Sequence, residues 1–208
     1  MKRTTLSRFA AALLFAAAAP FLPAGPGTPT PLPAAPAAAA VATPAVPTPQ
    51  PPASREAESV DAIVRSLYEA VSHPPNQEPD WSRMRAIFLP AGRLIPPRRP
   101  TGELAMLTPE DFIARVSAGI ATRKSQGGKD QGFSEREISR KTDCYGNICQ
   151  VFSTYEGRYT AADAAPFVRG INALQLVKEG NRWWVVEVLW DQESADKPIP
   201  PEYLGKKP

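Results

Sequence analysis

The sequence predicts an α+β domain in which helices come first and an antiparallel sheet follows. Three observations carry that expectation. Apolar residues recur at helical spacing in three segments between residues 60 and 120. After Phe133 the pattern changes to strand-like runs. Two turns, at Gly146-Asn147 and at Glu179-Gly180-Asn181, join those runs into antiparallel pairs. Helices followed by paired strands is the α+β order.

The chain of 208 residues divides into three parts. Residues 1–22 read as a secretory signal peptide, with Lys2, Arg3 and Arg8 before an apolar stretch from Phe9 to Phe21. That stretch is interrupted by Pro20 and is shorter than the roughly 20 apolar residues that cross a bilayer. Ala16 to Ala18 and Ala38 to Ala40 both fit the small-residue rule for cleavage. Residues 23–53 are rich in Pro, Ala and Thr and carry no charge, which describes an extended, disordered tether. Residues 54–208 form one domain of ordinary size. Of the 24 basic residues, three lie in the leader, leaving 21 against 21 acidic residues. A neutral domain gives no nucleic-acid footprint, and Arg93, Arg98 and Arg99 among prolines read as solvated charge. The expected location is periplasmic or secreted, with no stable membrane insertion after cleavage.

Within the domain, Ser54 is placed to cap a first helix with an apolar stripe of Val60, Ile63, Val64, Leu67, Tyr68 and Val71. His73-Pro74-Pro75 ends it, because a residue before proline is pushed out of helical geometry. Asp80 caps a short second helix that buries Trp81, Met84, Ile87 and Phe88, and Pro90 stops it. Arg93-Leu94-Ile95 reads as a short strand. Thr108-Pro109-Glu110-Asp111 is a strong helix start, with a capping side chain, proline at the first position and acids in the first turn. The strands Glu135 to Cys144 and Ile148 to Thr160 flank the Gly146-Asn147 turn, and the Arg169 to Trp190 hairpin follows.

With that first turn, Cys144 faces Cys149 at a non-hydrogen-bonded position, where Cα atoms approach to about 4.5 Å. Disulfides tolerate this range, and an exported protein favours the bridge. The alternatives are two reduced thiols or a redox dithiol, but a catalytic pair usually has two intervening residues at a helix start. Two Cys and one distant His do not complete a zinc site. No phosphate-binding glycine loop or Ser-His-Asp set is present, and no cofactor is called for.

The helix-helix-helix-hairpin order, with YGNICQVFSTYE, RGINALQLVKEGNRWWVVEVLW and the closing PIPPEYL, resembles the nuclear transport factor 2-like (SnoaL-like) superfamily. The resemblance runs from about Val60 to Leu204, toward an exported bacterial branch of unknown function, in which the two cysteines are a departure. It implies a cone-shaped fold: three N-terminal helices packed into the concave side of a curved antiparallel sheet. The superfamily includes isomerases, cyclases, dehydratases and non-catalytic binding domains, so fold does not decide function. Its enzymes place a carboxylate, sometimes with a His or Tyr, in the apolar cone.

Regular alternation puts Cys149, Val151, Ser153 and Tyr155 on one face, with Ile138 opposite Tyr155. It groups Trp184, Val186, Val188 and Trp190 on one face of the last strand, and Trp183, Val185, Glu187 and Leu189 on the other. Tyr155, Asn172, Glu187 and Trp190 are the expected pocket residues. Each also has an ordinary reading. Tyr155 and Trp190 fit as core aromatics, Asn172 as a strand-edge partner, and Glu187 as a solvent-facing acid or a partner of Arg140 or Arg169. The second turn admits two loop lengths, which leaves the faces of Asn172 and Gln175 open. His73, beside two prolines, reads as a surface or capping residue. Apolar residues on both sheet faces predict a homodimer through the outer face. Three functions remain: a non-catalytic cone that binds a small apolar molecule, which is preferred; a lyase or isomerase with a base such as Glu187 or Asp191 and Tyr155 as donor; and a structural dimerisation module with a filled cone.

Overall fold

A computed structural model of the protein describes residues 55–98 and 102–205. The expected signal peptide, the linker, the Ser54 cap and Arg99 lie outside them. Helix α1 (Val60–Val71) is capped by Ser59, whose hydroxyl accepts from the Ala62 N–H at 3.0 Å. Four residues of the expected stripe, Ile63, Val64, Leu67 and Tyr68, are buried. At its far end the chain is pinned to the later sheet. His73 and Phe133 exchange backbone hydrogen bonds of 2.7 and 2.9 Å, and the Glu135 N–H donates to the Ser72 hydroxyl at 3.0 Å.

Helix α2 (Trp81–Ile87) starts at Asp80 as its sequence predicts, with Met84 and Ile87 fully buried. It gives way at once to strand β1 (Phe88–Ile95). The strand is longer than Arg93-Leu94-Ile95, and Pro90 lies within it rather than ending the helix. Proline is tolerated there because β1 is an edge strand whose register breaks between Phe88 and Arg93. Helix α3 (Pro109–Ser125) opens with a complete capping box between Thr108 and Asp111.

Four long strands follow: β2 (Ser134–Tyr145), β3 (Ile148–Arg158), β4 (Val168–Glu179) and β5 (Arg182–Gln192). The sheet order is β1-β5-β4-β3-β2. β1 runs parallel to β5, and the other pairs are antiparallel. The expected fold class therefore needs one correction: the sheet is mixed rather than purely antiparallel, because the strand expected between the second and third helices pairs parallel with β5. Helix α3 carries the chain from β1 at one edge of the sheet to β2 at the other, and the hairpins then lead β5 back to β1.

The inner face of the sheet carries the helices. Val151, Leu174, Val185 and Val188 pack there with Ile63, Leu67, Met84, Ile87 and Ile113. The Gly146-Asn147 and Gly180-Asn181 turns each take two residues, and glycine supplies the positive φ in both (56° and 60°). The bridge is formed: Cys144 and Cys149 are bonded, with Cα atoms 4.1 Å apart. Among the described residues no helix is long and apolar enough to cross a membrane.

Two bulges overturn the expected face assignments. In β2, Glu137 pairs with Tyr155 and Ser139 with Thr154, so Ile138 is an extra, unpaired residue. Ile138 is thus not opposite Tyr155. In β5, Glu187 pairs with Gln175 and Val185 with Leu176, so Val186 is extra. A bulge adds one residue to one strand and reverses the face parity beyond it. The inner face of β5 is Trp183, Val185, Val188 and Trp190, while Trp184, Glu187 and Leu189 face outward.

Two outcomes follow from this packing. Replacing both cysteines by serine removes a cross-link with a sequence separation of only 5. A loop that short limits the loss to about 2 kcal/mol, so the variant stays folded with a lower urea midpoint. Gly170→Ala is harsher, because a Cβ there would lie 2.6 Å from the Tyr155 hydroxyl and 2.2 Å from the Asp191 carbonyl oxygen. We expect a loss of at least about 2 kcal/mol in the same assay.

Candidate functional site

Between the helices and the inner sheet face lies a cavity of about 290 Å³. Its wall is mainly aromatic and aliphatic, including Leu67, Met84, Phe112, Val188 and Trp190. Trp81, Phe112 and Trp190 form an edge-to-face series, with ring centroids 6.4 and 6.2 Å apart, that holds α3 against β5. Three of the four residues expected from the sequence, Tyr155, Asn172 and Trp190, line this space. Glu187 does not. Its pairing opposite Gln175 puts it on the outer face, where it is half-buried. Asp191, the other expected base, is exposed and ion-paired with Lys197. Arg140 and Arg169, offered as partners of Glu187, instead pair with Glu137 and Asp61 and with Glu193.

Two acids line the cavity, Asp130 beside His73 at its edge and Glu135 on the inner face of the sheet. The Ile138 bulge brings Glu135 there. With the unbroken register Glu135 and Glu137 would share the outer face with Glu156; with the bulge they pair with Gly157 and Tyr155 and turn inward. Glu135 is half-buried, and what surface it keeps opens onto the cavity. Burial pushes its pKa up to about 7, against the opposing pull of the hydrogen bond from Asn172. Asn172 Nδ2 donates to Glu135 Oε1 at 3.3 Å and to the Tyr68 hydroxyl at 3.2 Å. Burial also raises Tyr68 and Tyr155 well above the ordinary tyrosine range, with the nearby Glu135 charge adding to both shifts. Both phenols thus hold their protons and serve as donors.

Alternation alone places Glu135 outside, so the sequence reading missed it. One signal was available. Tyr68 sits on the apolar stripe of α1, and a buried phenol needs a polar partner in the core. That requirement points to a polar group inside the cone without naming it. His73 differs from expectation as well. Its side chain is only 7 % exposed, lies 3.6 Å from Asp130 and lines the cavity. Among the described residues no group of three or more His, Cys, Asp or Glu side chains is arranged to hold a metal ion.

No protein-family description and no curated protein matches the chain. Solved structures of similar fold do. Nuclear transport factor 2-like proteins of unknown function are among them. One, from Silicibacter pomeroyi, is 16 % identical over 64 % of this chain and 92 % of its own, with a TM-score of 0.42. An uncharacterised Caulobacter vibrioides protein with a cystatin-like fold is 14 % identical over 66 % and 89 %, with a TM-score of 0.45. The yeast UBP3-associated protein BRE5 is 14 % identical over 64 % and 93 %, with a TM-score of 0.46.

The Glu135 shift has a sign that stability measurements read. An unfolded glutamate titrates near 4.5, the folded one near 7. Between those values the folded chain binds more protons, so stability falls as pH rises through that window. The full loss is about 3 kcal/mol. Glu135→Gln mimics the protonated acid. Urea unfolding should therefore show it equal to the parent at about pH 4 and more stable by up to about 3 kcal/mol at about pH 8.

Proposed function

We propose that the cone binds a small, mainly apolar molecule and that Glu135, with Asn172 beside it, receives that molecule's polar group. The observation that carries this reading is the cavity of about 290 Å³, apolar over most of its wall, with the Glu135 carboxyl opening into it. Such a space with a few convergent polar groups is the usual form of a small-molecule site. Trp190 and Tyr155 give it shape, and Glu135 gives it orientation. The leader and the Cys144–Cys149 bridge support export as part of the proposal, with the domain working outside the cytoplasm.

A second reading has its own support. A carboxyl that titrates near 7 is matched to proton transfer at neutral pH. Tyr155, held protonated by burial, offers a donor in the same space. Together they suit a lyase or isomerase that moves a proton at a carbon next to a carbonyl, with Glu135 as base in place of Glu187 or Asp191. A homodimer through the outer face is also proposed, supported by the exposed Leu189 on β5. Its check is the mass by light scattering with and without Leu189→Arg.

Native mass spectrometry of the protein from its own host, kept oxidised, tests the binding reading. We expect one co-purifying small molecule, released when Val188→Trp fills the cavity; a cavity that takes up neither that molecule nor anilinonaphthalene sulfonate would sink it. For the second reading, the released molecule is incubated in deuterium oxide with the protein. Exchange at carbon that falls at least about 100-fold in Glu135→Gln marks proton transfer, and binding without exchange leaves the first reading alone.

A further inference from the structure

A chain of hydrogen bonds leads from the rim of the cone to Glu135, and its direction can be deduced link by link. Arg140 donates through Nε to Glu137 Oε1 at 2.8 Å and through a terminal nitrogen to Glu137 Oε2 at 2.6 Å. A carboxyl whose two oxygens both accept from one guanidinium has no proton to offer, so the Ser153 hydroxyl must donate to Glu137. Ser153 then has no proton left for its other neighbour. The Tyr68 hydroxyl, 2.6 Å away, must donate to Ser153. With its only proton used, the Tyr68 oxygen accepts from Asn172 Nδ2. The same NH₂ group therefore faces Glu135. Each assignment follows from the one before it, and the first follows from the Arg140 fork.

We infer that the Arg140–Glu137 ion pair fixes the polarity of the chain Glu137–Ser153–Tyr68–Asn172–Glu135, making Glu137, which does not reach the cavity, a positioning residue for the carboxyl that does. Ser153 is fully buried and Asn172 and Tyr68 are nearly so, which shields the three middle links from bulk water that would scramble them. The polarity has a chemical consequence. An amide NH₂ aimed at Glu135 favours the ionised acid. Were Ser153 and Tyr68 to point the other way, Asn172 would turn its carbonyl oxygen to Tyr68 and Glu135, which favours the protonated acid. The other charged or titratable groups around this carboxyl are Tyr155 on β3 and, round the cavity wall, His73, Asp130, Lys129, Arg115, Arg123 and Tyr159. None of them is a link in the chain. The inference deepens the proposed function, since it rests on Glu135 being the working carboxyl of the cavity.

The test reads the Glu135 titration directly in the ligand-free, oxidised protein, by carbon NMR of glutamate labelled at the carboxyl and assigned with Glu135→Gln. Ser153→Ala removes one link without changing any charge. Glu137→Met removes the terminal acceptor at similar length. Both free the Tyr68 proton to turn toward Asn172, and we expect the Glu135 midpoint to rise by about one unit, a ten-fold gain in proton affinity. Simple loss of the Glu137 charge acts oppositely, because removing a nearby negative charge lowers the midpoint. A midpoint that stays in Ser153→Ala, or falls in Glu137→Met, overturns the inference. Glu187→Gln, on the outer face, is the control and leaves the midpoint in place. Because no ligand enters the measurement, failure to find a ligand or turnover overturns the proposed function without touching this result.

Discussion

The inner face of this domain depends on where the sheet inserts single residues. Ile138 in β2 and Val186 in β5 each have no partner across the strand pair. Each insertion exchanges the inward and outward sets of its strand on one side. In β5 the exchange lets Trp183 and Val185 join Val188 and Trp190 on one face, so a single strand supplies inner apolar side chains along its whole length. In β2 it turns two acids toward the helices. In an unbroken register Ile138, not Glu137, would lie opposite Tyr155, and β2 would bring no carboxyl to the inner face there. The bulge converts a packing surface into one that has a carboxyl.

That conversion is tolerated because the two acids are handled differently. Glu137 is met by the Arg140 fork and by Ser153, so its charge is compensated within the protein. Glu135 receives one side-chain hydrogen bond, from Asn172. Its remaining capacity faces the cavity, and burial shifts it toward the protonated form instead. Two acids on one face of one strand thus divide into a structural member and an available one. Such a separation of neighbouring carboxyls by environment is what acid–base sites require. The backbone of Glu135 is itself held by Ser72 at the end of α1, so the available acid is anchored to the helix that also supplies Tyr68.

Much of this was legible in the sequence. The Thr108 capping box, the Asp80 cap, both glycine turns and the Cys144–Cys149 pairing depend only on residues close in the chain. Local chemistry decides them. Tyr155 was legible because the β3–β4 register is unbroken from Ile148 to Gly157; that register also turns Asn172, whose face the sequence left open, to the inner side, and Asn172 pairs with Trp190. What failed lies beyond a bulge or across a long separation. Glu187 and Glu135 exchanged roles because alternation cannot see an inserted residue. The parallel pairing of β1 with β5 joins segments nearly a hundred positions apart, and no pattern inside Phe88–Ile95 announces its partner.

The outer face gives a related lesson about apolar surface. Its apolar residues suggested a partner subunit, yet part of that surface is covered by the chain's own end. Tyr203 packs on Phe152 with centroids 5.8 Å apart, Lys141 sits 4.2 Å over the Tyr203 ring, and Thr154 donates to the Tyr203 carbonyl oxygen at 2.6 Å. Prolines at 198 and 200 restrict the approach to the sheet, and Pro201 opens the single 3-10 turn that ends at Tyr203, so little further ordering is needed to dock it. On β5, Arg182 stacks 3.6 Å over Trp184. Part of the β2–β3 half is thereby covered, Tyr145 and Ile148 at its turn stay exposed, and Leu189 is the exposed large apolar side chain of β5. A second copy docking at Leu189, as proposed, would meet β5 and its neighbour β4, clear of the tail. Any such contact would press on the strand whose bulge sets the cone wall, coupling the assembly of the domain to the shape of its cavity.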